Sequence, residues 1–211
     1  IVLKNGVKSW KTTKEKIVFP KGKTWQDYVC DTRLEISCGE APYLVSRYDT
    51  TTGEFISIEN RIGLLDRKLR VVNDNLDSIT EWLKAVETAY KSTYGFEWQG
   101  DSLLLAREAL LITFIENFTH KFEIEPTLEA IQNIAEIISW NIWQMDGLKG
   151  VVPNSCKSEI VEIADIFETK TKIKKCKGCE TQNIKLHNGI FCTIMDWDIE
   201  KPIKFISLLE K

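Results

Sequence analysis

Cys176-Lys177-Gly178-Cys179 is the densest piece of chemistry in this chain. Two cysteines separated by two residues form a knuckle that presents both thiolates to one metal ion, and zinc suits such a knuckle. Cys156 and Cys192 flank it and His187 lies between, so the donors for a four-ligand site are at hand. The expected set is Cys156, Cys176, Cys179 and Cys192. The surrounding run, 154–188, is polar and lysine-rich and reads as a loop. A loop of that length with little apolar content needs an anchor. A redox-active pair fits less well, because the knuckle does not read as the start of a helix after a strand.

Two further places carry chemistry. Glu97 ends the apolar run Tyr94-Gly95-Phe96. In nucleotide-binding α/β folds a carboxylate at a strand's carboxyl end accepts hydrogen bonds from ribose hydroxyls. Cys38-Gly39-Glu40-Ala41-Pro42-Tyr43 follows another short apolar stretch, and a small-residue turn there lets a ligand approach the backbone. Other chemistries lack their parts. The chain has no phosphate-binding loop ending in Lys-Ser/Thr, no Gly-x-Ser-x-Gly elbow and only two histidines, His120 and His187, which argues against a Ser-His-Asp hydrolase. Asp196-Trp197-Asp198-Ile199-Glu200-Lys201 has the composition of a nuclease site but reads as an exposed turn.

Positioning these residues requires alternating strands and helices. Arg33 to Ser37, Tyr94 to Trp98 and Ile142 to Met145 suit strands. Between them, apolar residues recur at helical spacing over 58–75, from Ser78 onward, over 103–118 and after Pro126. Ser78 and Glu81 have capping-box spacing. Ile190 to Ile194 and Ile203 to Leu208 read as two last strands. The pattern predicts an α/β fold with a largely parallel sheet. Three segments follow: an irregular lead-in over 1–32, a core over 33–153, and a cysteine-rich loop with terminal strands completing the sheet over 154–211.

The chain has 211 residues, 43% of them hydrophobic, enough for one sizeable core. No apolar run is long enough for a membrane span and no signal peptide is visible. Six cysteines without a secretory signal point to a reducing, cytoplasmic setting. The formal charge of −3 is a poor signature for a free-standing DNA binder and places target recognition largely elsewhere. The chain starts at Ile1 rather than Met, so an upstream segment is expected.

Leu34-Glu35-Ile36-Ser37-Cys38-Gly39-Glu40-Ala41-Pro42-Tyr43 resembles the first motif of amino-group (adenine-N6-type) DNA methyltransferases. Tyr94-Gly95-Phe96-Glu97 followed by Leu105-Ala106-Arg107 is similar to their second, and Ile142 to Leu148, containing Asp146-Gly147, to their third. Cys38 to Gly53, Arg61 to Asn73, Tyr94 to Phe114 and Ile137 to Pro153 look like stretches of short bacterial "restriction endonuclease subunit M" proteins, also carried on mobile elements; together they cover most of 30–155. The resemblance implies a Rossmann-like methyltransferase sheet with helices on both faces, helix-rich, carrying a small Cys-containing C-terminal insertion. It implies S-adenosylmethionine as cofactor. Glu35, Cys38, Gly39 and Tyr43 would surround its methionine part, Glu97 would hold the ribose, Trp98 would pack on the adenine ring and Asp146 would bind the adenine amino group. The partner implied is DNA, read with a specificity or restriction subunit.

Several departures bear on activity. Ile36 stands where the family has Pro, and Ala41 where Gly is common. The transfer motif, Asn or Asp followed by Pro-Pro and an aromatic, stacks on a flipped base; no Pro-Pro occurs in this chain. The nearest substitute is Asp196 with Trp197, at the end of Phe191-Cys192-Thr193-Ile194-Met195. The reading is therefore a methyltransferase-like modification subunit, with a catalytically inactive regulatory or partner-binding protein as the alternative.

Overall fold

The computed structural model describes residues 2–4, 7–9, 15–164 and 169–210. Strands β1 (Val2–Lys4) and β2 (Val7–Ser9) pair antiparallel, and helix α1 (Trp25–Cys30) follows. The lead-in expected to be irregular thus holds two strands and a helix, while residues 1, 5, 6 and 10–14 lie outside the described residues. A capping box starts α1: Asp27 N–H donates to Thr24 Oγ1 and Thr24 N–H donates to Asp27 Oδ2.

The body is built on β3 (Arg33–Ile36), α2 (Leu64–Asn75), α3 (Ile79–Lys91), β4 (Thr93–Glu97), α4 (Gly100–Phe122), α5 (Leu128–Asn141) and β5 (Ile142–Gln144). The three strands form one parallel sheet in the order β3-β4-β5, with Leu34 beside Tyr94 and Phe96 beside Trp143. Ser78 precedes α3 but its side chain makes no capping bond. The strand order advances in one direction. Right-handed crossovers between such strands all fall on the same face of a sheet. The core follows suit: Trp82, Tyr90, Leu110, Phe114 and Ile134 from α3, α4 and α5 pack with Leu44, Cys38 and Ile142. Trp82 meets the rings of Phe118 and Phe122 edge-on at 5.5 and 5.6 Å.

The opposite face is covered differently. Phe96, Trp143 and Met145 pack there with Cys192 and Ile194, flanked by Tyr94, Val152, Ile203 and Phe205. Among the described residues no α-helix joins this second cluster, so helices cover one face of the sheet rather than both. The cover comes from β8 (Thr193–Asp196) and β9 (Lys201–Lys204), which follow β6 (Glu159–Ala164), β7 (Thr169–Lys174) and the short helix α6 (Lys177–Thr181). Among the described residues β8 and β9 pair only with each other, joined by the tight turn Trp197 to Glu200. They form a separate two-stranded sheet packed on this face instead of completing the parallel one. Among the described residues no strand pairs with the outer edge of β3, and Leu34 and Ile36 are 45% and 66% exposed. Residues 154–188, expected as a loop, hold the antiparallel hairpin β6–β7 and α6.

Candidate functional site

The carboxyl ends of β3, β4 and β5 bring three turns together. After β3, Ser37, Gly39 and Ala41 all have positive φ, at 57°, 56° and 65°. For Ser37 and Ala41 that left-handed backbone costs about 1 kcal/mol or more each, and such strain collects at ligand sites. The turn is held by β4: Cys38 N–H donates to the Phe96 carbonyl at 3.0 Å, and Gly39 N–H donates to Glu97 Oε2 at 2.8 Å. Glu97 Oε1 accepts from the backbone N–H groups of Trp98 and Gln99. Three of the roughly four lone-pair sites of the carboxylate are thus taken, and the remaining accepting capacity lies on Oε2. Burial, with the negative charges of Glu97 and Glu35 behind it, pushes the Cys38 thiol up to about 12, so it is a neutral packing group. Burial also raises Glu35, on the helix-covered side of β3. Tyr43 is 71% exposed beside them.

After β5, Asp146 is buried and closes its own turn, accepting from Leu148 N–H at 3.1 Å. Its other oxygen takes an ion pair from Lys149 Nζ at 2.8 Å, and the same ammonium lies 6.0 Å from the centre of the Trp98 ring. Lys149 thus occupies both contacts that the methyltransferase resemblance assigns to adenine. Its bond to Asp146 raises the Lys149 pKa despite some desolvation, and the thiols of Cys179 and Cys156 act on it in the same direction.

Those thiols belong to the second feature. Cys156, Cys176, Cys179 and His187 gather so that their ligand atoms all lie within 4.8 Å of one another. The three sulfurs stand 3.5, 3.6 and 3.7 Å from His187 Nδ1. A tetrahedral zinc with bonds of roughly 2.3 Å to sulfur and 2.0–2.1 Å to nitrogen sets sulfur–nitrogen edges of about 3.6 Å. The cluster can therefore hold a metal such as zinc with all four positions filled by protein. Gly178 is required by this packing: a Cβ there would sit 2.5 Å from His187 N. Burial works against ionising Cys176, yet N–H groups of Asn188, Cys179 and Gly178 and the His187 ring outweigh it and bring the thiol down to about 6. The Asn188 N–H donates to this sulfur at 3.2 Å. Burial and the neighbouring thiols push Cys156 up to about 11.

His187 takes the position expected of Cys192. Cys192 is buried in the second core cluster, where its thiol donates to the Gln144 carbonyl at 3.3 Å, and burial with Asp146 nearby raises it to about 11. Cys176 caps α6 after β7, so the knuckle does open a short helix after a strand. No disulfide forms among the six cysteines, and Cys156 and His187 stand at ligand distance from the knuckle.

Asp196 and Trp197 fall far from both features. Trp197 Nε1 donates to Asn141 Oδ1 at 2.8 Å and its ring receives the Lys91 ammonium, placing the pair at the amino ends of β4 and β5. Asp196 accepts from Asp198 and Ile199 N–H within its own turn. The two line a groove of about 550 Å³ with Leu34, Tyr94, Trp143 and Leu208. Lys149 and Gly178 were the residues that sequence reasoning passed over. His187, eight positions beyond Cys179, was visible as a donor but not included in the expected set. No family model, no curated protein and no solved structure matches this chain.

Proposed function

We propose that this chain is the S-adenosylmethionine-binding half of a DNA adenine methyltransferase-like modification subunit, with zinc clasping its C-terminal insertion. The observation that supports it is the adjacency of the three motif-bearing turns at the carboxyl ends of three parallel strands, with Glu97 bonded to the Gly39 amide. Ligands in open α/β sheets bind at that edge. Glu97 would hold the ribose, and Trp98 and Asp146 the adenine, after displacing Lys149. The cofactor would supply the methyl group. With four protein ligands and no open position, the zinc would be structural rather than catalytic.

One observation favours the regulatory alternative over transfer by this chain alone. Asp196 and Trp197 lie a strand length from the cofactor turns, about 13 Å for four residues. A base held against them would be out of reach of a methyl group at the opposite edge. The chain would then bind the cofactor and serve a partner that carries the transfer motif. Calorimetry with S-adenosylmethionine tests the shared claim. Heat of binding is expected from the wild type and a loss of at least about tenfold in affinity from Glu97→Ala, one charge-assisted contact being worth about 1.5–3 kcal/mol. Absence of heat from the wild type removes both cofactor readings. Tritiated methyl transfer to unmethylated DNA by the chain alone would overturn the regulatory alternative.

A further inference from the structure

We propose that the metal-clasped hairpin β6–β7 and its knuckle form an arm that grips the phosphate backbone of duplex DNA. The inference deepens the modification-subunit reading, which needs a DNA contact, and rests on it only for the choice of partner.

The arm is defined by its anchoring. Cys156 precedes β6 and Cys176 follows β7, so the four ligands close the base of the hairpin. Asn188 fastens the same point, accepting from Lys157 N–H and donating to the Lys157 carbonyl. Beyond that clasp, six paired residues extend about 20 Å. The described side chains of both strands are exposed.

Its charge is unlike the rest of the molecule. Between Cys156 and Asn188 the chain has seven lysines and five acids, a positive excess in a protein of net charge −3, and the lysines are segregated: residues 169–188 hold six of them with one acid, Glu180. Lys172 and Lys174 share one face by strand periodicity, and Lys175 and Lys177 continue into the knuckle, all exposed. Among the described residues none of these four has a carboxylate partner. The nearest acid in register is Glu159, across from Lys174. Such a row of ammonium groups, with one acid in register along it, suits a polyanion.

The shape narrows the choice. A two-stranded ribbon fits the major groove of B-form DNA, whereas the deep, narrow major groove of A-form RNA excludes it. Single strands are gripped chiefly by stacking on aromatics, and the paired strands β6 and β7 carry none. The other face pairs Ile160 with Ile173, 74% and 68% exposed, which makes a lipid surface the competitor to be tested.

The test is fluorescence anisotropy of a labelled mixed-sequence duplex with the zinc-loaded full chain. Four phosphate contacts predict that raising salt from about 50 to 200 mM weakens wild-type binding by about 150-fold, and by only about 12-fold for the Lys172→Gln, Lys174→Gln double variant. Lys175→Gln with Lys177→Gln should behave alike, and Lys23→Gln as wild type, each with unchanged zinc content. No binding at the lower salt, or wild-type salt dependence in both double variants, overturns the proposal. So does equal or tighter binding to phosphatidylserine vesicles or polyglutamate. Calorimetry with S-adenosylmethionine on the Lys172→Gln, Lys174→Gln variant reads the cofactor site separately, and its failure alongside intact DNA binding would remove that reading alone.

Discussion

Gly178 and Lys68 show how much a single position decides. Gly178 lets the knuckle close on His187, and the 2.5 Å approach of a Cβ to backbone nitrogen cannot be relieved by a side-chain rotation. Gly178→Ala is expected to lose most of its zinc at a free-metal level that saturates the wild type, read by atomic emission. The Cys-x-x-Cys spacing was legible in the sequence; the need for this glycine was not, because His187 approaches it from nine residues away. Lys68 is buried on α2 and donates to the Ser92 carbonyl and hydroxyl. Burial, aided by the Arg33 charge, lowers its pKa to about 7. An unfolded lysine titrates near 10.4, so between about pH 7 and 10 the unfolded chain binds a proton that the folded chain does not. Stability contributed at this site therefore rises with pH across that window, by on the order of 1 kcal/mol per pH unit. Urea denaturation from pH 7 to 9.5 should show that gain in the wild type relative to Lys68→Met.

At the scale of elements, the loop between β3 and α2 is tied to α4 by one carboxylate. Glu116 accepts from Arg47 at 2.7 and 3.2 Å and from Arg61 at 2.6 Å, with the Arg61 side chain only 5% exposed. Burial alone would raise the Glu116 pKa, but the two guanidiniums outweigh it and hold it below the usual value. The stability it brings is present at neutral pH and is lost as pH falls through that lowered value. Glu116→Ala leaves a buried guanidinium unpaired and should cost about 3 kcal/mol in chemical denaturation, more than Glu116→Gln. This tie joins residues 55 and 69 positions apart and could not be read from local spacing. The helices themselves could be, through apolar recurrence. The α1 start was equally legible in Thr24-x-x-Asp27, a capping signal that its lysine-rich surroundings obscured.

For the molecule as a whole, the metal centre and the main core are separate constructions. None of the four ligands belongs to the large cluster around Trp82, Phe114 and Leu110. Chelation should therefore abolish amide protection across 156–188 in hydrogen exchange while leaving α3, α4 and α5 protected; cooperative loss of both would show that the clasp carries the fold. The sequence by itself determined the α/β character, the three strand ends and the knuckle, because these depend on periodicity and short spacing. Only the tertiary structure decided which donor completes the metal set, which faces the helices cover and where the last strands lie. His187 wins over Cys192 because Cys192 leads into β8 and is drawn into the apolar cluster with Phe96 and Trp143. β8 packs on the Phe96–Trp143 face and takes β9, handed to it by a four-residue turn, as its ladder partner. Both outcomes are competitions between distant segments for one place, and local sequence does not encode the loser's alternative.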